Sequence, residues 1–385
     1  MNIGIDQLHF HIPNYYLDLA VLAEHNGVDL SKYHKGIGQE KMSVASHDED
    51  IVTLAANAAA PLLADLEQRN SIDTLLFATE SGIDQSKAAG LYLHSLLDLP
   101  SNCRILEVKQ ACYSATASLQ LACDHIARQP NKKVLVIASD IARYDLGTPA
   151  EATQGAGAVA LLISANPRLV SIDPISGKYS EDVMDFWRPN YRKTALVDGK
   201  YSAQMYLKAL KHAWQDYQDQ GGYPFNHFSH FCYHLPFSKM GVKAHQQLAK
   251  HSQNPINPDQ IEDGMRYNRL IGNSYTASLY FALSSLLDHR DDLAKQNIAF
   301  FSYGSGCVGE FFSGQVQPNY QQHRHRQSHQ HQLTHRQSLD YATYQHYWHN
   351  PEPSDGSTIE LPQQNHARYR LAKLSQHKRH YQKNP

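Results

Sequence analysis

Three side chains capable of covalent chemistry stand at the ends of apolar strand patterns: Glu80, Cys112 and His234. Cys112 follows Arg104-Ile105-Leu106-Glu107-Val108-Lys109-Gln110-Ala111 and precedes Leu119, Leu121, Ala122 and Ile126 at helical spacing. That order predicts a strand, the thiol, then a helix. Unpaired N–H groups and the positive end of the helix dipole favour the thiolate, the nucleophilic form. Taken alone, the residue reads as well as a small buried core cysteine. Glu80 ends Phe77-Ala78-Thr79-Glu80, where desolvation raises a carboxyl pKa toward that of a useful base. Alone it reads as a helix N-cap or a surface acid. His234 sits inside Phe231-Cys232-Tyr233-His234-Leu235-Pro236-Phe237, and alone it is a satisfied core histidine. A thiol, an imidazole and an acid together suit covalent thioester chemistry.

Other residues are candidates of lower specificity. Asn273, after Gly272 and before an apolar helix, reads equally as an N-cap or as a ligand contact. The turn Gly304-Ser305-Gly306-Cys307-Val308-Gly309 spells GxGxxG, but a strand pattern follows where a dinucleotide site needs a helix. A tight turn there aims a backbone N–H at a developing oxyanion instead. Thr153-Gln154-Gly155-Ala156-Gly157 has the same character. Lys239 and Lys243 share a helix face and read either as phosphate contacts or as a solvated surface.

The elements that position these groups alternate. Helical stripes run over 51–67, 114–127, 206–217, 238–251 and 276–288, and buried strands over 74–79, 105–108, 133–138, 156–163, 227–233, 297–303 and 310–316. Continuous apolar strands with intervening helices predict sheets covered on both faces. The series occurs twice, which predicts two structurally similar halves, 1–165 with Glu80 and Cys112, and 166–385 with His234. A loop at 351–357 precedes a short amphipathic C-terminal piece. The segment 321–336, rich in His, Gln and Arg, reads as a solvated helix or loop, with adventitious metal binding as the alternative.

Bulk properties exclude several classes. The chain has 385 residues, a formal net charge of −2 and 42 % hydrophobic residues, so no global charge attracts nucleic acid. No apolar run approaches the roughly 18 residues of a membrane span, and no signal peptide is expected. Five cysteines without a CxxC pair suggest reduced thiols in a cytoplasmic enzyme and no thiolate zinc site.

The motifs Gly36-Ile37-Gly38-Gln39, Ala78-Thr79-Glu80-Ser81, Ala111-Cys112-Tyr113, Thr153-Gln154-Gly155-Ala156-Gly157-Ala158, Asp185-Phe186-Trp187-Arg188-Pro189, His234-Leu235-Pro236-Phe237-Ser238-Lys239-Met240-Gly241 and Phe301-Ser302-Tyr303-Gly304-Ser305-Gly306 resemble those of bacterial hydroxymethylglutaryl-CoA synthases. The resemblance runs to about Val316. It implies an α/β, thiolase-like fold of two related halves in an αβαβα layering, and a homodimer. It implies condensation of acetyl-CoA with acetoacetyl-CoA in the mevalonate pathway through an acetyl-cysteine, with Cys112 as nucleophile, Glu80 as general base and His234 at the acceptor carbonyl. Lys239 and Lys243 fall where the family meets CoA phosphates, and Asp29, Thr153, Ser202, Asn273 and Ser305 at other ligand contacts. No metal or separate cofactor is implied, because CoA belongs to the substrates. Gln110 and Cys307 depart from the family pattern without touching the reactive trio. The rival readings are a relative acting on carrier-protein-bound acetoacetyl groups in polyketide β-branching, a ketoacyl synthase, and a non-catalytic metal-binding or scaffold protein on a thiolase shell.

Overall fold

A computed structural model describes residues 1–384. Nine strands form the main sheet. The first half contributes Ile3–His11, Ile72–Ala78, Arg104–Val108, Lys133–Ile141 and Ala156–Ala165, and the second contributes Val170–Ser180, His230–Tyr233, Asn297–Gly304 and Val308–Val316. The two groups repeat one pairing plan. Ile3–His11, Ala156–Ala165 and Lys133–Ile141 pair antiparallel in that order, and Ile72–Ala78 and Arg104–Val108 then add in parallel. Val170–Ser180, Val308–Val316 and Asn297–Gly304 likewise pair antiparallel, and His230–Tyr233 adds in parallel. Only Gly4–Ser171 and Ile5–Val170 join the two groups. A Cβ at Gly4 would lie 2.2 Å from the Val170 carbonyl oxygen, so the seam requires glycine.

Helices cover both faces. Ser114–Arg128 buries Ala115, Leu119, Ala122 and Ile126, and Gly199–Asp219 buries Tyr206, Leu210, Trp214 and Tyr217. Burying such a side chain stabilises by about 1.5–3 kcal/mol, so each helix is held by its inward stripe. The helix expected over 51–67 is three pieces, Ile51–Ala59, a single turn Ala60–Leu63, and Leu66–Asn70. Pro61 has no N–H to continue the first helix. The strand expected from 227 begins at His230, because Phe225–His227 forms a turn.

Two C-terminal segments take forms that composition left open. The His-rich stretch is not wholly solvated: helix Arg326–Thr334 packs His329 against the Ile3–His11 strand, stacked on Phe10 at 4.0 Å. Its Nδ1 bonds the Asp288 carboxylate at 2.7 Å, while His331 and His335 face solvent. Buried and exposed histidines alternate with one helical face, which composition does not reveal. The end of the chain is a β-hairpin, Tyr369–Ser375 with Lys378–Lys383, and it packs on the first half. Leu371 donates to the Asp48 carbonyl at 2.8 Å, and Tyr381 to the Asp50 carboxylate at 2.8 Å.

Candidate active site

Ile72–Ala78, Arg104–Val108 and Lys133–Ile141 run parallel, so their carboxyl ends share one edge of the sheet. Ligand groups collect at such edges. Here that edge brings together Glu80, Cys112 and Asp140. The Cys112 Sγ donates to Glu80 Oε1 at 2.8 Å. His234 follows the corresponding strand of the second half and lines the same cavity as Cys112, a space of about 490 Å³. Asn273, Thr153, Ser202 and Ser305 line it too, with Tyr144, Phe186, Tyr275 and Met240 among the apolar walls. A second cleft of about 880 Å³, lined by Glu80, Arg188 and Lys109, meets it at Phe186, Ala195, Tyr275 and Ser305. Glu80 therefore stands on the wall between the thiol's chamber and a polar one.

The electrostatics correct one expectation. Burial, and then the adjacent Glu80 carboxyl, raise the Cys112 pKa well above its ordinary value, so the resting group is a thiol. The helix begins at Ser114, two residues beyond the sulfur, and the dipole does not outweigh the loss of water. Burial, then the Asp140 charge, push Glu80 up to about 8. The pair thus shares a proton between a stronger base than an ordinary carboxylate and a weakly acidic thiol. His234 is pushed down to about 3 by burial, so its imidazole is neutral. Its backbone is fixed by Phe301 and by the Tyr206 hydroxyl, each at 2.8 Å.

Two buried aspartates organise the surroundings. The sequence reading assigned neither a role, although Asp140 obeys the same strand-end rule as Glu80. Asp140 Oδ1 accepts from the Thr79 hydroxyl (2.8 Å), the Glu80 N–H (2.9 Å), the Ser81 N–H (2.9 Å) and the Ser81 hydroxyl (2.7 Å). Oδ2 accepts from the Thr276 N–H (3.0 Å) and hydroxyl (2.5 Å). Asp140 thereby ties the Glu80 loop to the helix that begins at Ser278. Asp185 accepts from the Tyr303 hydroxyl (2.7 Å), the Ser202 hydroxyl (3.0 Å) and the Gly306 N–H (2.9 Å). Gly306 being engaged, Ser305 is the residue of that turn that presents itself to the cavity. Arg188 donates to the Glu80 carbonyl at 2.7 Å.

Asn273 caps no helix, since the short turn Tyr275–Ala277 starts from Ser274, but its Oδ1 accepts the Tyr275 N–H at 2.9 Å and it lines the cavity. Ala111 and Tyr275 adopt φ of 45° and 47°, in the left-handed region that costs a non-glycine residue about 1–3 kcal/mol. Such strain persists only where the surroundings fix it. Asp29, Lys239 and Lys243 do not line the cavity. Asp29 is exposed, its carboxylate turned to the Ser31 N–H at 2.8 Å. Lys239 and Lys243 are exposed on the helix Ser238–His251, Lys243 Nζ lying 5.7 Å from the ring of the cavity residue Phe237. Among the described residues, no group of three or more His, Cys, Asp or Glu side chains is placed to hold a metal ion.

Comparison with known proteins shows the family. The family model for the hydroxymethylglutaryl-coenzyme A synthase N terminal matches residues 1–168, and the C terminal model matches 170–256 and 246–368. A hydroxymethylglutaryl-CoA synthase from Enterococcus faecalis is 42 % identical over 351 residues, covering 90 % of this chain and 91 % of its own. A polyketide-biosynthesis 3-hydroxy-3-methylglutaryl-ACP synthase from Bacillus subtilis is 36 % identical over 346 residues, covering 84 % and 82 %. A crystal structure of an HMG-CoA synthase complexed with CoA superimposes with a TM-score of 0.94 at 37 % identity, covering 100 % of both chains.

Proposed function

Because the chain belongs to the hydroxymethylglutaryl-coenzyme A synthase family, with the thiolase-like fold of its structural neighbours, we propose that it condenses acetyl-CoA with acetoacetyl-CoA to give 3-hydroxy-3-methylglutaryl-CoA and free CoA. The observation that carries the proposal is the 2.8 Å contact between the Cys112 thiol and a Glu80 carboxyl whose pKa lies near 8. Cys112 attacks the thioester carbonyl of acetyl-CoA, its proton passing to Glu80, and CoA leaves as the thiol by taking that proton from Glu80. The N–H groups of Cys112 and Ser305 stabilise the oxyanion. On acetyl-Cys112, deprotonated Glu80 removes a methyl proton, and the resulting carbanion adds to the ketone of acetoacetyl-CoA. Neutral His234 donates a hydrogen bond to that ketone, and the alkoxide formed with the C–C bond takes up the proton that Glu80 removed from the methyl group, which returns Glu80 to the carboxylate. Water then cleaves the Cys112 thioester and restores the thiol. These steps use the chain's own groups and the CoA of the substrates.

Thr153, Ser202 and Asn273 line the path of the acyl chain in this reading. Lys239, Lys243 and Asp29 lie outside the cavity; in this reading the two lysines meet CoA phosphates, which the approach of Lys243 Nζ to 5.7 Å from the ring of the cavity residue Phe237 supports. We assign the product to the mevalonate pathway and the enzyme to the cytoplasm, which five free cysteines fit. No helix among the described residues is long and apolar enough to cross a membrane. A homodimer is supported by the edge strand Arg104–Val108, whose Leu106 is 50 % exposed beside Leu91 at 45 %. Uncovered apolar edge strands are templates for a second chain.

The test is donor and acceptor choice. Acetyl-CoA acetylates Cys112, and acetoacetyl-CoA then releases a six-carbon acyl-CoA. Turnover only with a carrier-protein-bound acceptor assigns the protein instead to the polyketide β-branching reaction.

A further inference from the structure

One buried acid is unused by the chemistry above. Glu310, on the Val308–Val316 strand of the second half, is fully buried. A carboxylate in such a place costs several kcal/mol unless hydrogen-bonded. Its Oε2 accepts the Tyr113 hydroxyl at 2.6 Å, and its Oε1 accepts from Gln120 Nε2 at 3.0 Å. Tyr113 adjoins Cys112. Neither Glu310 nor Tyr113 lines either cavity.

The bond to Tyr113 bears on a strained elbow. Ala111, on the other side of Cys112, has φ 45°. Gln110 donates to Ser114 Oγ at 2.5 Å, the Ser114 hydroxyl to the Ala111 carbonyl at 2.8 Å, and the Tyr113 N–H to the Gln110 carbonyl at 3.1 Å. The elbow rests on Gly304: a Cβ there would lie 2.5 Å from the Gln110 oxygen and 2.7 Å from Tyr113 Cβ. Gly304 leads directly into Ser305, and Gln110 Nε2 reaches the Ser305 carbonyl at 3.3 Å. Tyr113 is therefore the point at which the thiol's elbow, the Ser305 turn and the second-half strand meet. A buried phenol needs an acceptor, and any acceptor held at this place satisfies it.

We propose that Glu310 is a positioning residue for acyl transfer, holding Tyr113 so that Cys112 Sγ stays fixed between Glu80 and the Ser305 turn. The proposal rests on the reading of Cys112 as the acyl acceptor. Misplacing a reacting atom by about 1 Å costs on the order of 100-fold.

The experiment compares Glu310→Leu, Glu310→Gln, Tyr113→Phe and the Glu310→Leu/Tyr113→Phe double variant. Gln120→Leu removes only the other donor, and Thr116→Val breaks the neighbouring 2.9 Å bond to Tyr280 as a control for stability. Three quantities are read: acetylation of the Cys112 peptide by acetyl-CoA, its alkylation by iodoacetamide, and the unfolding midpoint. Glu310→Leu and Tyr113→Phe should slow acetylation about 10- to 100-fold, with no further loss when combined. Glu310→Gln should acetylate close to the unaltered rate, as should Gln120→Leu and Thr116→Val whatever stability they lose. Unchanged acetylation in folded Glu310→Leu, additive effects in the double variant, or an equal loss in Thr116→Val would overturn the proposal. If Glu310→Leu does not fold, Tyr113→Phe decides, because it removes the same bond by deleting one oxygen. Failure of the unaltered protein to acetylate refutes the function assigned to Cys112, and the alkylation rates still judge Glu310.

Discussion

The pH dependence of the first half-reaction should follow the Glu80–Cys112 pair. Burial, reinforced by the Asp140 charge, places the Glu80 titration at about 8 instead of the ordinary 4.5. At pH 7 about one tenth of the molecules then hold Glu80 as the base, and at pH 9 about nine tenths. The value of kcat/KM for acetyl-CoA should rise nearly tenfold per unit at acid pH and level off above 8, about a tenfold gain from 7 to 9. Because the thiol and the carboxyl share a proton, the midpoint belongs to the pair. Asp140→Asn should move it to lower pH, though by less than the full displacement, since burial is the larger cause. Stability carries a second signature. A carboxyl whose folded pKa is raised loses stability as pH climbs from 4.5 toward 8, because the folded state resists ionisation. At about 1.4 kcal/mol per pH unit the ceiling is roughly 5 kcal/mol, so Glu80→Gln should stabilise the fold at pH 9 and change little at pH 4. The assays are initial rates across pH 4–10 and denaturant unfolding at pH 4 and pH 9. A rate midpoint between pH 4 and 5, or a Glu80→Gln protein no more stable than the unaltered one at pH 9, would refute the reasoning.

Other outcomes follow from the same geometry. His234→Ala should leave acetylation of Cys112 intact while lowering condensation about 100-fold or more, measured with pre-acetylated protein. Asp140→Leu removes the acceptor of six donors, of which the Thr79 hydroxyl, the Glu80 N–H and the Thr276 N–H have no second partner, and since each buried unsatisfied group costs about 1–3 kcal/mol, it should unfold at markedly lower denaturant than Asp140→Asn. His11 and His325 are pushed down to about 4 by burial, so the folded state cannot take the protons that the unfolded chain binds below about 6.5. Stability should therefore fall between pH 6.5 and 4, with His11 alone worth roughly 3 kcal/mol, and His11→Gln should flatten that slope.

The parts of the fold legible in the sequence were those with strong periodicity. The buried parallel strands and the helix Ser238–His251 lie where apolar spacing places them, because burial on both faces leaves no other pattern. Helix 51–67 was overextended because the apolar stripe continues through Pro61, where the backbone cannot. The His-rich helix defeated composition, since a histidine bonded to Asp288 and stacked on Phe10 has the same letter as one in water. In the site, strand ends marked Glu80, Cys112 and His234. The thiol's charge state was misjudged because a helix terminus is local and visible, whereas desolvation arises from segments distant in the chain. Asp140 and Glu310 went unassigned for that reason too: their partners lie 59 to 197 positions away.

The most direct measurement is mass spectrometry of the Cys112 peptide after mixing with acetyl-CoA, followed by a chase with acetoacetyl-CoA. The unaltered protein should gain one acetyl group on Cys112 and lose it as a six-carbon acyl-CoA, Cys112→Ser should gain none, and Glu80→Ala should gain it more slowly, having lost the base that takes the thiol proton, and keep it. Acetyl found on another residue, or condensation by Glu80→Ala at the unaltered rate, would contradict the account.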